Sequence, residues 1–557
     1  MKIHHLGFLC LVTGSLFGQV TYDPILHADR EPQNWLTYSG TYKSQRYSLL
    51  NEITPENVKD LQLQWLLQTN TSGRLEATPI VVDGILYYSA VQGEAQKQHT
   101  VYAVDALTGR VFWTYTRQVS PKTHGTMVNR GVAIAGHTLY LATLDAHLVA
   151  LDTKDGTVDW DVKMADTADG YQANEAPLVV KDKVIIGITT NEYGSNCWIA
   201  AYDVHTGKEA WRFHTVPGPG EPGHDTWGPG NAWEHGGAPV WLTGSYDPDL
   251  NLVYWGTGNP NPSWNGDHRP GDNLYSNCVV ALDAGTGKLK WYYQFTPHDE
   301  FDWDSTQIPV LVDSDWQGKS RKLMLWANRN GMYYVLDRET GEFLLGKAFV
   351  KQNWNAGFDA RGKPIRTPNS KSRAEGVFIQ PENQGGTNWY SPSYSPRTGL
   401  FYVSAWENHW TLFAKTDEEY EKGKQYTGGM MGGPLVPGWY DNTPLWQGRR
   451  PINPPYRTEQ EGYSAVRALD AKTGERKWEF KMIYDTECGI LTTASDLLFS
   501  GGMEGYFFAL DAKTGQPLWN INLGAAIDMG PIAYAVDGHE YIAVGASSGL
   551  FIFAVKR

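Results

Sequence analysis

The sequence is poor in cysteine and in charge, and it has no long apolar run. Its 557 residues include four cysteines, Cys10, Cys197, Cys278 and Cys488. None stands in a C-x-x-C or C-x-x-C-H arrangement, so neither a cysteine-rich zinc site nor covalently attached haem is signalled. No stretch reaches ~18 consecutive apolar residues, so no membrane-spanning helix is predicted. Only 19% of residues are charged, and 61 Asp and Glu against 47 Lys and Arg leave a formal net charge of −14. That balance argues against a nucleic-acid partner, whose phosphates need clustered cations. What abounds is glycine (59), proline (30) and tryptophan (23), with 41% apolar residues, enough for a sizeable core. Such a chain predicts many short strands and turns, with one bulky residue used repeatedly.

The first residues read as an address. Met1-Lys2 precedes an apolar run from Ile3 to Phe17 that is too short to span a membrane, with cleavage near Gly18 or Ser15. Residues 1–18 are therefore expected to be a signal peptide, 19–557 a single domain, and the location periplasmic. Cys10 falls inside the run with no small residue just before it, so no lipid anchor is expected. The other three cysteines allow at most one disulfide.

An internal repeat decides the fold. The pattern A-x-D-x-x-x-G-x-x-x-W occurs six times in full, at Ala103, Ala150, Ala201, Ala281, Ala468 and Ala509. A seventh, degenerate copy has Val335, Asp337 and Gly341, with Leu345 in place of Trp. Alternating apolar residues lead into a D-x-x-T-G type turn, in which Gly takes positive φ and Asp caps, and a second strand then carries the Trp. One such unit cannot bury its own apolar face, so neighbours must stack. A period of about 40–50 residues predicts an all-β propeller with tryptophan-docking repeats. Eight blades are expected, with seven possible. A diverged unit is expected near Gly399–Leu412, and a terminal strand pair joins Leu61–Trp65 to Ile542–Ala554. The docking tryptophans are read as packing residues. Insertions around Val216–Glu234 and Phe349–Thr387 are read as loops over one face.

Between the repeats lie turns rich in Asp, Glu, Asn and Arg: Arg74–Pro79, Val128–Gly131, Asn191–Gly194, Gly256–Pro260, Pro297–Asp304 and Asn328–Gly331. A propeller would gather them around its axis. Their oxygens suit a hard cation of high coordination number, and the arginines suit an anionic ligand. Each turn alone is more often only a turn former.

These repeats and loops resemble the pyrroloquinoline-quinone-dependent alcohol dehydrogenases, the methanol and ethanol dehydrogenase family of eight-bladed propellers, from about Trp35 to the end of the chain. The segments EATPIVVDG, NRGVAI, APLVVKDKVIIG, YDPDLNLVYWGTGNPNPSW and RPGDN carry the resemblance more specifically than the repeat does. It implies that Glu192, Asn259 and Asp302 are metal ligands, with Asp302 also the catalytic base and Arg329 the arginine beside the reactive carbonyl. Asp302 rather than Asp299 fits, because it lies in the aromatic-Asp-aromatic core of PHDEFDWD. Glu76, Arg130, Asn174, Thr189 and Asn388 stand at quinone-contacting positions. Trp241 matches the indole beneath the quinone ring, and Trp264 the substrate-pocket tryptophan. Asp304 resembles the extra carboxylate of lanthanide-dependent members, so Ca²⁺ or a lanthanide is expected, the lanthanide slightly favoured; the bland alternative is a turn-capping aspartate.

Departures from the family pattern matter too. His124-Gly125 stands where two adjacent cysteines usually form a disulfide over the quinone. Thr189, Thr190 and Asn191 replace a run of smaller residues, and Asn174 and Pro239 replace threonines. The resemblance implies an exported enzyme oxidising a primary alcohol to an aldehyde and passing electrons to a separate cytochrome c. The alternative is a non-catalytic exported propeller serving as a scaffold.

Overall fold

The computed structural model describes residues 22–556, apart from 70, 72–73, 94–96, 121–122, 124, 126, 432–461 and 483. The signal-peptide segment, Cys10 and His124 lie outside the described residues. The rest is all-β, with one five-residue α-helix and a few 3₁₀ turns.

Each repeat builds one antiparallel sheet in simple chain order. Among the described residues there are seven four-stranded sheets and one five-stranded sheet, besides two smaller ones. The first sheet illustrates the plan: strands Ile80–Val82, Ile85–Gln92, Gln98–Asp105 and Val111–Gln118 pair as neighbours. The repeat motif is the turn between third and fourth strands. In the third sheet the Asp203 carboxylate accepts from the amides of His205 and Thr206 at 3.1 and 2.9 Å, and Gly207 follows at φ 66°. A bulge after the motif alanine leaves Ala201 directly opposite Trp211. The same bulge sets Ala103 opposite Trp113 and Ala468 opposite Trp478, which accounts for the constant spacing.

The tryptophans dock between sheets, as expected. Trp160 lies on Gly207 of the next sheet, where a Cβ would stand 2.7 Å from the indole. Its Nε1 donates to the Val204 carbonyl at 3.2 Å. Trp113, Trp211, Trp291 and Trp478 each donate to the carbonyl of the residue after the next motif Asp. Leu345 cannot do this; the Tyr333 hydroxyl takes over, donating to Ala471 at 2.8 Å.

The strand Leu61–Gln68 completes the last sheet by pairing with Gly549–Val555, and Trp65 donates across to Ala106 of the first sheet. Here the terminal pair expected from sequence is found, with a docking tryptophan that lies outside the repeat pattern. The expected diverged unit near Gly399–Leu412 is not a separate sheet. Its strand Leu400–Glu407 pairs along its whole length with Tyr463–Asp470, so it belongs to the sixth repeat. A long insertion carrying Thr411–Lys415 and Gly429–Met431 had separated the two halves in sequence. Phe349–Thr387 likewise holds short strands, among them Asn355–Phe358 and Pro364–Arg366, not loop alone. Cys197, Cys278 and Cys488 are buried free thiols.

Candidate functional site

In a four-stranded antiparallel sheet, the chain enters the first strand at the same end as the turn from second to third strand. The repeat turn lies at the opposite end. Every predicted site residue belongs to the entry end. Glu76, Arg130, Asn174, Trp241, Asp302, Asp304 and Asn388 lie in connections entering a first strand, and Thr189, Glu192, Asn259, Trp264 and Arg329 lie in second-to-third-strand turns.

Glu192, Asn259, Asp302, Asp304 and Arg329 come together. The Asn259 amide N–H donates to Asp304 Oδ1 at 2.8 Å, and its Nδ2 reaches Glu192 Oε2 at 3.3 Å. Arg329 forks between the aspartates, with Nη1 2.7 Å from Asp304 and Nη2 3.4 Å from Asp302. Arg329 is itself fixed by Nε donating to the Asn383 carbonyl at 2.5 Å. Glu192 and Asp302 both hold left-handed backbone, φ 68° and 59°, a conformation costing roughly 1–2 kcal/mol in a residue with a Cβ. The Asp299 carboxylate is occupied with the amides of Phe301 and Trp303, at 3.1 and 2.9 Å. It ties down the loop and leaves Asp302 to face Arg329.

Electrostatics follow from that crowding. Burial raises the Asp302 carboxyl well above the usual carboxylate range; Arg329 opposes this, while Asp304 and Glu192 add to it. Burial and the Asp304 charge raise Glu192, and burial raises Asp304 against the pull of Arg329. For Arg329, burial acts downward, but Asp302 and Asp304 outweigh it and hold the guanidinium charged.

Among the described residues no three His, Cys, Asp or Glu side chains form a ready-made metal cage. Glu192 is instead turned onto Asn261, whose Nδ2 donates at 2.6 Å, and onto Ser263. Asn259 Oδ1, however, is buried without a partner. Asn261 and Ser263 were passed over in the sequence, although they sit between two predicted residues in GNPNPSW.

A second group adjoins the first. Arg130 Nη2 lies 2.8 Å from Glu76, Nη1 donates to the Trp241 carbonyl at 3.2 Å, and the guanidinium sits 4.8 Å from the Trp241 ring centre. The Asn174 carbonyl accepts from the Arg130 amide at 3.0 Å. The Trp241 side chain lies near enough to Asp304 to draw its carboxyl downward against burial, so the two groups adjoin. Buried and unpartnered here are Arg130 Nε, Asn174 Oδ1 and Asn388 Oδ1. Thr189 pairs with Gln172 through the backbone and Asn388 with Gln384; among the described residues neither bonds directly to another predicted residue. Trp264 is held by its amide on Thr427 and its carbonyl on Ser372, both at 2.8 Å, with its ring 6.2 Å from Phe413 and Nε1 unpartnered. Gly125 packs against Asn191, whose amide would lie 2.4 Å from any Cβ there.

Comparison with known proteins points the same way. Residues 35–346 match the family described as glucose/ethanol/alcohol dehydrogenase, beta-propeller domain, and residues 463–549 match outer membrane protein assembly factor BamB. The chain is 34% identical to the quinoprotein alcohol dehydrogenase PedH of Pseudomonas putida, over 97% of this chain and 90% of that one. It is also 34% identical to the lanthanide-dependent methanol dehydrogenase of Methylacidiphilum fumariolicum, covering 96% and 88%. A europium-containing methanol dehydrogenase structure superposes with a TM-score of 0.86 at 30% identity, covering 96% of this chain and all of the other. The chain belongs to the pyrroloquinoline-quinone-dependent alcohol dehydrogenases, β-propeller oxidoreductases that act on alcohols.

Proposed function

We propose that the protein oxidises a primary alcohol to the aldehyde, using pyrroloquinoline quinone with a bound calcium or lanthanide ion, and hands the electrons to a separate cytochrome c. The observation that carries this reading is an imbalance of buried charge. Glu192, Asp302 and Asp304 crowd together, largely buried, with one guanidinium among them in the described residues, that of Arg329. Uncompensated buried charge costs several kcal/mol per ion, and a multivalent cation taken by Glu192, Asn259, Asp302 and Asp304 offsets it. Three carboxylates favour the trivalent ion. The unpartnered atoms of Arg130, Asn174 and Asn388 suit the polar edge of a quinone carrying carboxylates, with Glu76, Thr189 and Arg329 at its rim and the Trp241 ring as an apolar support.

When bound, the quinone supplies the two-electron acceptor and the ion a Lewis acid. The chain's own residues do the rest. Asp302 takes the hydroxyl proton as general base, a task suited to a carboxylate whose proton affinity burial has raised. Arg329 holds Asp302 in place and stabilises negative charge that develops beside it. Trp264, its ring set against the buried Phe413, walls the space for the alcohol's carbon chain.

We also read the eight sheets as eight blades of one closed ring, residues 19–557 as its single domain, and residues 1–18 as the export signal of a periplasmic protein. The scaffold alternative gives no reason for buried, unpartnered groups at the predicted positions. Dye-linked alcohol oxidation tests the enzyme reading. Asp302→Ala is expected to abolish turnover, a loss of ~10²–10⁴-fold, with the fold intact. Undiminished turnover in that variant contradicts it.

A further inference from the structure

The long insertion in the sixth repeat does more than separate two strands. Between Thr411–Lys415 and Gly429–Met431 the chain leaves its own short sheet and crosses onto loops of the third and fourth sheets. Resting on the reading above, we propose that this strap, residues 416–428, is the positioning element for the metal ligand Glu192. Tyr426 is the residue that grips Glu192, and Glu418 and Tyr420 hold the strap in place.

Tyr426 grips Glu192 at both ends. Its amide donates to the Glu192 carbonyl at 2.7 Å. Its own carbonyl accepts from Asn261 Nδ2 at 3.3 Å, and the same Nδ2 donates to Glu192 Oε2 at 2.6 Å. One residue of the strap therefore fixes the backbone of Glu192 directly and its carboxylate through Asn261. The grip matters because Glu192 sits at φ 68°, a conformation that persists only where the surroundings over-determine it. The next residue, Thr427, accepts the Trp264 amide on its carbonyl at 2.8 Å, so the same turn seats the indole of the alcohol pocket.

The strap is fastened away from the predicted ligands. The Glu418 carboxylate accepts from the amides of Thr427 and Gly428 at 3.1 and 2.6 Å, closing the turn behind Tyr426. Tyr420 stacks flat on His235, with ring centres 3.5 Å apart and planes at 14°, and meets the Tyr426 ring edge-on at 5.8 Å. Both rings close over Gly194, where a Cβ would stand 3.2 Å from Tyr420 and 3.4 Å from Tyr426. Lys422 pairs with Asp169 at 2.7 Å, and the Gln425 side-chain amide donates to the Asn191 carbonyl at 3.2 Å. Affinity for a hard cation depends on how rigidly its oxygens are held, and a partner that orients a ligand changes metal affinity by about 10–100-fold.

Glu418→Ala and Tyr420→Ala loosen the strap without altering Glu192. Tb³⁺, alone and with pyrroloquinoline quinone, is titrated into the full chain stripped of metal and followed by tryptophan-sensitised luminescence. Both variants are expected to bind Tb³⁺ roughly 10–100-fold more weakly than the unsubstituted protein, and Glu418→Gln and Tyr420→Phe to recover most of the loss. In the loaded enzyme, excess metal is expected to restore kcat in the alanine variants, while KM for the alcohol stays raised because Trp264 has lost its seat. Unchanged Tb³⁺ affinity in both alanine variants overturns the proposal, even where Tm falls, since that result leaves the strap only a structural role. A loss of kcat that excess metal leaves unrelieved overturns it too. No Tb³⁺ uptake by the unsubstituted protein, with or without the quinone, overturns the metal-dependent function itself, which keeps the two failures apart.

Discussion

At the residue scale, the choice between two nearby aspartates shows how far the sequence could be read. Asp299 and Asp302 stand in one segment, and the structure gives them different work: Asp299 caps two amides, while Asp302 faces Arg329. The family motif pointed to Asp302; the cap shows Asp299 committed to the backbone of its own loop. Asp304 was legible as an extra carboxylate, but not its bond to Arg329, because that pair joins the connection into the fifth sheet to a turn within it. Asn261 escaped notice for a similar reason: its partner Glu192 is 69 residues away. One buried group makes a prediction about stability. Burial raises the Glu175 carboxyl to about 8, against the pull of the Gly187 amide. Its folded value lies above its unfolded value, so its contribution is fully present below about pH 4.5 and is lost as pH rises toward 8. Glu175→Gln is expected to flatten the decline of Tm between pH 5 and 8, as measured by calorimetry; an unchanged decline contradicts this account.

At the scale of the element, the repeat was legible because three requirements coincide in four letters. Asp caps the turn, Gly alone accepts both its φ and the neighbouring indole, and Ala lies opposite Trp across the bulge. The degenerate copy at Asp337 was only half legible. Tyr333, in the third strand rather than the fourth, replaces the missing indole donor, and nothing in the local pattern announces such a transfer. Likewise the strand Leu400–Glu407 could not be joined to its repeat by spacing alone, because a long insertion precedes its partner. Trp160→Ala removes both the stacking on Gly207 and the bond to Val204. It is expected to cost about 3–5 kcal/mol, seen as a lowered midpoint in chemical denaturation. A change below about 1 kcal/mol would show that the indole is surface cover rather than a wedge.

At the scale of the molecule, most of the tryptophan excess is architecture: wherever the repeat keeps its Trp, the indole ties one sheet to the next. Trp65 ties the last sheet to the first, from a strand at the opposite end of the sequence. Trp65→Ala is therefore expected to lower the unfolding midpoint as much as loss of an interior docking tryptophan does, while a marginal effect counts against ring closure at this seam. The same arrangement places every predicted site residue at one end of the sheets, away from the repeat turns, so a site invisible in any single segment assembles once the sheets stack. The central claim concerns what that site holds. The most direct measurement adds pyrroloquinoline quinone and Ca²⁺ or a lanthanide, separately and together, to protein stripped of both, and follows quinone absorbance and dye-linked alcohol oxidation. The account predicts retained quinone and turnover only when both are supplied, with the lanthanide at least as effective as Ca²⁺. Neither quinone retention nor turnover with any metal would contradict it.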